Sequence, residues 1–235
     1  MTSCDRHDLT ATLPWMRDGT DLLLTVADRL TDDGLCAPST LPGWTRAHVI
    51  GHLARNAEAL GRLAAWARTG VPTPMYADRE QRAVEIEDST ALPPAELRRQ
   101  LKTTAAELDD ALATLDAGSW RAEVRSALGR TIPAAEIPWM RVREVWLHAL
   151  DLDAGATFAD LPVDVVDTLL DDVTGALSVR PRCPSVRLAP TDRDRTWTLG
   201  PSGDPEVAEA PAAELLAWVT GRGGGPVPVV LPSWL

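Results

Sequence analysis

From near Pro138 to about Leu152 the chain reads as one helix that is apolar on nearly every side, and a helix of that kind is buried. Trp139, Trp146 and Leu150 cover one side, while Ile137, Met140, Val145 and Leu147 flank the other. The same stretch nevertheless carries Glu144 and His148. Glutamate is almost never fully buried unless it is paired or bound, so something cationic must face Glu144. Spaced four apart on a helix, the two side chains point within about 40° of each other and can reach one ion. Two plainer accounts stand beside this one. Glu144 pairs with a buried arginine such as Arg141 or Arg143, and His148 is a hydrogen-bonded core histidine; acid–base pairs at this spacing are common on helices.

The rest of the first two-thirds is also helical in pattern. One amphipathic stretch runs from about Leu9 to Thr31, and Gly34 and the 38–43 segment then break it. Thr45 is placed to cap a second helix that reaches about Arg68, ended by the 70–74 segment. A polar segment with short-helix character follows, and Pro93 and Pro94 open a third long helix through Leu115. Residues 120–132 form an irregular connection with short strands before the helix that carries Glu144. Four long amphipathic helices predict an up-and-down four-helix bundle over residues 1–155. Beyond it, Val163–Leu177 forms a bridging helix, residues 185–200 alternate like two strands around a polar turn, and residues 210–222 read as a helix. Residues 156–235 are therefore expected to form a small α+β domain, so the fold class is mainly α with that appendage.

With four histidines in the chain, a third ligand to complete the Glu144–His148 pair comes from His7, His48 or His52. Counted at about 100° per residue from Val49, the apolar arc of the second helix spans roughly −40° to 100°. His52 falls near −60°, at its edge, and His48 about 40° further toward solvent. His52 is better placed to look into a bundle, but His48 and His52 are themselves four apart and form a rival pair. Two imidazoles and one carboxylate are a standard catalytic zinc set, which iron also accepts. Asp151, three residues past His148, is a candidate acceptor for the second ring nitrogen.

Composition removes several classes of function. The 34 acidic residues outnumber 23 basic ones, a net charge of −11, which argues against nucleic acid or an anionic membrane as partner. No apolar run approaches the roughly 20 residues of a membrane span, and residues 1–13 lack the pattern of a secretory leader, so a cytoplasmic location is expected. Lys102 is the single lysine, the mark of a GC-rich genome. Cys4, Cys36 and Cys183 are widely separated and form neither a disulfide framework nor a zinc knuckle; buried or inert thiols are expected. Trp66, Trp139, Trp146 and Trp218 lie at core spacings, while Trp44, beside the entrance of the second helix, is placed to line a pocket. The glycines after Arg222 lack the lysine and hydroxyl of a phosphate loop and read as a flexible exit from the last helix.

Residues 41–60, LPGWTRAHVIGHLARNAEAL, resemble the second-helix signature of the mycothiol-dependent maleylpyruvate isomerase family, within the DinB/YfiT-like metalloenzymes. VREVWLHALDL at 142–152 is similar to its fourth-helix signature, PMYADREQRAVEIE to its arginine-bearing segment, and AELLAWVTGR to its closing motif. The resemblance covers nearly the whole chain in the right order. It implies a DinB-like bundle, a sterol-carrier-protein-like C-terminal domain, and His52, Glu144 and His148 as ligands of Zn2+ or another divalent metal. It also implies mycothiol, the low-molecular-weight thiol of actinobacteria, as cosubstrate, and conversion of maleylpyruvate to fumarylpyruvate.

The implied chemistry is physically coherent. A free thiol has a pKa near 8.5 and is mostly the weaker nucleophile at neutral pH, whereas coordination to a dication deprotonates it. The thiolate adds to the activated C=C of maleylpyruvate, the resulting single bond rotates, and elimination gives the trans isomer. The enediolate formed on addition needs a positive partner. The motif match points to Arg222, whose fork binds carboxylates in two-point fashion, although a cation at a helix C-terminus also meets the dipole favourably. Arg82 is a second candidate, for the substrate carboxylates, and could equally pair with Glu85 or Glu87. Two other functions fit the same residues: a mycothiol S-transferase acting on another electrophile, and a non-catalytic zinc-binding regulator with a closed metal site.

Overall fold

The computed structural model describes residues 5–234. Its elements in chain order are α1 (Leu9–Asp28), α2 (Asp32–Leu35), α3 (Arg46–Thr69), α4 (Arg79–Thr90), α5 (Pro94–Ala113), α6 (Ala117–Arg121), β1 (Glu123–Arg125), β2 (Thr131–Pro133), α7 (Ile137–Asp151), α8 (Val163–Ser178), β3 (Val186–Pro190), β4 (Trp197–Leu199), β5 (Glu206–Ala210) and α9 (Ala212–Val219). They fall into two compact units, one spanning Asp5–Ala156 and the other beginning at Thr157. No helix among the described residues is long and apolar enough to cross a membrane.

In the first unit α1, α3, α5 and α7 are the expected four-helix bundle. Their pairing adds something the sequence did not carry. The helix α1 packs on α7 and α3 on α5, with α3 also against α7, so the chain neighbours α1 and α3 are not the principal partners. Gly19 lets α1 and α7 approach: a Cβ there would lie 2.6 Å from side-chain atoms of both Val145 and Trp146. The Trp146 indole N–H donates to the Trp15 carbonyl at 2.9 Å. On α3 the side chains of Val49, Ile50, Leu53, Leu60 and Leu63 are fully buried, each worth about 1.5–3 kcal/mol relative to exposure. The polar segment after α3 is a true helix, α4, capped by the Asp78 side chain on the Gln81 N–H. The irregular connection before α7 contains the antiparallel pair β1–β2.

The buried arginine anticipated on α7 is Arg141, 1% exposed. It donates to the Leu53 carbonyl and to Asn56 Oδ1, both at 2.8 Å, and so ties α7 to α3. Burial pushes its pKa down, to about 10, and it stays cationic at neutral pH.

In the second unit β3 sits between β4, antiparallel, and β5, parallel. Val186 and Leu188 point inward while Arg187 is exposed. The helix α8 buries Val165, Val166, Leu169, Leu170, Val173 and Leu177, and α9 packs on α8 and on the sheet. Trp139, Trp146 and Trp218 are buried as expected, whereas Trp66 is half-buried. Cys183 is buried and free, while Cys36 is free but exposed, because it closes the short surface turn of α2. Cys4 lies outside the described residues.

Candidate metal centre

The helices α3 and α7 bring His52, Glu144 and His148 together. One ligand atom from each lies within 4.8 Å of the others, and no other group of three or more such side chains is found among the described residues. Glu144 Oε2 is 2.8 Å from His52 Nε2 and 3.2 Å from His148 Nε2. The imidazole rings stand at 90° with centroids 4.9 Å apart. His52 is 3% exposed, whereas the Glu144 side chain keeps 23% exposure, so the cluster is closed on the core side and open on the other.

His48, the rival ligand, serves the start of α3. Thr45 caps the helix, and the Thr45 backbone N–H donates back to His48 Nδ1 at 3.2 Å. His48 Nε2 lies 3.2 Å from Glu87. Both ring nitrogens are thus engaged away from the cluster. His7, near the start of α1, faces the buried Glu136 at 3.2 Å. Trp44 lies edge-on to His52, with centroids 5.5 Å apart, and stacks on His48 at 6.0 Å.

The two candidate imidazoles are oriented differently. His148 Nδ1 faces Asp151 Oδ2 at 2.7 Å, and the other carboxylate oxygen of Asp151 accepts from Thr40 Oγ1 at 2.8 Å. A carboxylate there draws the ring hydrogen to Nδ1 and leaves Nε2 for a cation. Burial disfavours the protonated His148 ring, but Asp151 and Glu144 outweigh it and its pKa is raised. His52 is lowered, chiefly by burial, which outweighs the attraction of Glu144. Burial would raise the Glu144 carboxyl, yet His52 and His148 hold it well below the usual carboxylate range.

Arg82 reaches the cluster from α4. Its guanidinium lies 3.2 Å from His52 Nδ1. Glu85 accepts from Gln81 and Glu87 pairs with His48, so neither of the expected carboxylate partners is the one Arg82 meets here. Guanidinium nitrogens only donate, so His52 Nδ1 accepts and Nε2 carries its hydrogen toward Glu144. The donor set itself, two imidazoles and a carboxylate with an exposed side, fits a catalytic divalent cation. A cation on His52 Nε2 requires the ring hydrogen on Nδ1, where Arg82 can no longer donate; cation binding therefore frees Arg82 from His52.

Residues 16–153 match the sequence profile of the mycothiol maleylpyruvate isomerase N-terminal domain. The chain belongs to the mycothiol maleylpyruvate isomerase family. It is also similar to two solved structures, the crystal structure of the mycothiol-dependent maleylpyruvate isomerase and that of its H52A mutant. Each aligns over 100% of both chains at 35% sequence identity, with a TM-score of 0.93. A comparison with curated proteins gives no match.

In this family member Arg222 belongs to the second unit, immediately past α9. Gly221 adopts φ +75°, a conformation costly for any other residue, and the Arg222 N–H then returns to the Ala217 carbonyl at 2.8 Å. Its guanidinium donates to the Thr220 carbonyl at 3.1 Å. The exit from α9, expected to be flexible, is a hydrogen-bonded turn that fixes the backbone of Arg222.

The Asp151 contact leads to a measurable expectation. Asp151→Asn keeps the shape but removes the charge behind His148, and zinc affinity should fall about 10- to 100-fold. Zinc must displace the His148 proton, so affinity in the unmodified protein should drop about tenfold per pH unit once the pH is below the raised His148 pKa. In the asparagine variant that pKa falls, and the acid loss should begin at lower pH. Zinc titration against a competing chelator across pH reads both effects; an unchanged profile in the variant would remove Asp151 from the site.

Proposed function

We propose that this chain isomerises maleylpyruvate to fumarylpyruvate with mycothiol as cosubstrate. The observation that carries the reading is the match to the mycothiol-dependent maleylpyruvate isomerase over the full length of both chains at 35% identity. The convergence of His52, Glu144 and His148 agrees with it. A divalent cation held by these three residues, Zn2+ by the chemistry of the set, would keep a thiol in its nucleophilic thiolate form.

The protein's own groups supply the rest. Glu144 stays ionised beside two imidazoles and offsets the charge of a bound dication. Arg82, whose guanidinium lies 3.2 Å from His52 Nδ1, is assigned, once released from it, to a carboxylate of the dianionic substrate. Arg222 is assigned to the negative charge that develops on the substrate's oxygens when sulfur adds to the double bond. Addition forms a C–S bond and leaves a C–C single bond that rotates; expulsion of the same thiolate restores the double bond in trans geometry. No electron is gained or lost, and the thiol is regenerated. A reduced thiol places this chemistry in the cytoplasm, with small molecules rather than nucleic acid or membrane as partners.

Loss of maleylpyruvate absorbance, followed with purified zinc-loaded protein and mycothiol, tests the reading. Turnover that requires both thiol and metal is expected. No isomerisation, with mycothiol instead retained on a product formed from another electrophile, would overturn it in favour of S-transfer.

A further inference from the structure

Hydrogen bonds bracket the metal cluster along the seam between α3 and α7. At the start of α3, Arg46 donates through Nε to the Leu152 carbonyl at 2.6 Å and through Nη2 to the Asp153 carbonyl at 3.0 Å. Those carbonyls stand at the end of α7, where a helix leaves such groups without internal partners. Further along α3, His52 meets Glu144 at 2.8 Å. Just beyond it, the Leu53 carbonyl and Asn56 Oδ1 both accept from Arg141 Nη1 at 2.8 Å. Leu53 is the next residue after His52, and Arg141 lies one turn before Glu144. The two helices run antiparallel, with an arginine tie on either side of the ligands.

This seam has more need of such ties than its neighbours. The principal partner of α7 is α1 and that of α3 is α5, so the two helices that share the ligands are not the most extensively packed pair. Apolar contact is non-directional, whereas a hydrogen bond fixes distance and angle. A metal set needs its donors held to within about 0.5 Å.

Stability alone does not account for Arg141. It is 1% exposed and Asn56 6%, and Arg141 Nη2 is buried with no hydrogen-bond partner among the described residues. Burying a charged group in this way is costly, and replacing both partners of a buried hydrogen bond by apolar groups of the same shape is close to neutral or stabilising.

We propose that Arg141 and Asn56 are positioning residues of the metal centre. Their hydrogen bond sets the register of α3 against α7, and with it the placing of His52 relative to Glu144 and His148, while Arg46 holds the other end of the seam. The inference rests on the reading of the cluster as a divalent-cation site and is independent of the substrate.

Arg141→Met combined with Asn56→Leu is the direct test, because it removes the hydrogen bond without leaving either half buried alone. In the metal-free state the double variant should melt at or above the Tm of the unaltered protein. Zinc affinity, titrated against a competing chelator, should nevertheless fall about tenfold, the low end of what groups behind metal ligands contribute. Co2+ loaded in place of zinc should show a broadened visible absorption band. Asn56→Asp, which keeps the acceptor, should bind zinc as tightly as the unaltered protein. A purely structural role gives the opposite split, a lower Tm with zinc affinity retained, and that result in a folded double variant would overturn the proposal. If the double variant does not fold, Asn56→Leu against Asn56→Asp makes the same comparison, and equal zinc affinity in the two overturns it. An unaltered protein that takes up no zinc would remove the metal reading and the positioning role together, whereas equal affinities in a protein that does take it up remove the positioning role alone.

Discussion

His52→Ala is expected to strip the divalent cation from the protein while leaving its helical signal intact. Zinc sets contribute on the order of 10–16 kcal/mol in zinc-finger peptides; losing one of three protein ligands should weaken binding by about 10²–10³-fold or more. The fold should tolerate the change for two reasons. Alanine is the best helix former, and His52 lies on α3 among residues whose packing is apolar and unaltered, including Ile50 and Leu53. The loss is confined to the corner where Glu144 then faces one imidazole instead of two. Metal analysis after desalting, together with far-ultraviolet circular dichroism, separates the outcomes. Retention of a full equivalent of zinc would mean that a different donor holds the ion and that the 2.8 Å His52–Glu144 contact is only a buried acid–base pair.

Arg222→Ala is expected to do the reverse: zinc stays and turnover goes. Loss of one pre-set donor to a developing oxyanion typically lowers kcat by about 10²–10³-fold. The assignment draws on charge. The chain has net charge −11 and its proposed substrate is a dianion, so local cations must overcome the general field. The turn closed by Gly221 fixes the Arg222 backbone. Arg222→Lys should recover only part of the rate, since an ammonium keeps the charge but not the fork. If Arg222 merely meets the dipole of α9, alanine would remove at most about 1 kcal/mol of stability and leave kcat and KM where they were.

Much of the site could be read before any coordinates. Glu144 and His148 announce themselves because a carboxylate cannot sit in an apolar helix unaccompanied, and His52 because it borders the apolar arc of α3. Asp151 followed from helical spacing to His148. Choice of partner was harder to see. Arg141 was an open candidate for Glu144, yet it spends its donors on Leu53 and Asn56, a contact across 85 residues or more. Thr40 supports Asp151 from a loop 111 residues away, and nothing in its neighbourhood signals that. His48 competes with His52 on geometry alone; what separates them is the capping role that Thr45 gives His48, a local signal that was available. Arg82 read equally as a candidate for the substrate carboxylates and as a solvated partner of Glu85 or Glu87; its contact with His52 could not be read, because the position of α4 beside α3 is a tertiary fact.

The fold shows the same division. Helix starts and stops follow from Thr45, Pro94 and Pro138, whose effects are local. The pairing of α1 with α7 does not, because an amphipathic stripe records that a face is buried and not what covers it. The strand β5, EVAEA, is short and charged, and exists because β3 offers it a parallel partner. The turn α2 is four residues held by the Thr31 side chain, too short for any periodicity to register.

The account turns on a single divalent ion held jointly by residues of α3 and α7. An anomalous-difference map from zinc-loaded crystals, collected at the zinc edge, addresses this directly. One peak per chain is expected, about 2.0–2.2 Å from His52 Nε2, from His148 Nε2 and from a Glu144 carboxylate oxygen. A peak elsewhere, or none at full zinc loading, would contradict it.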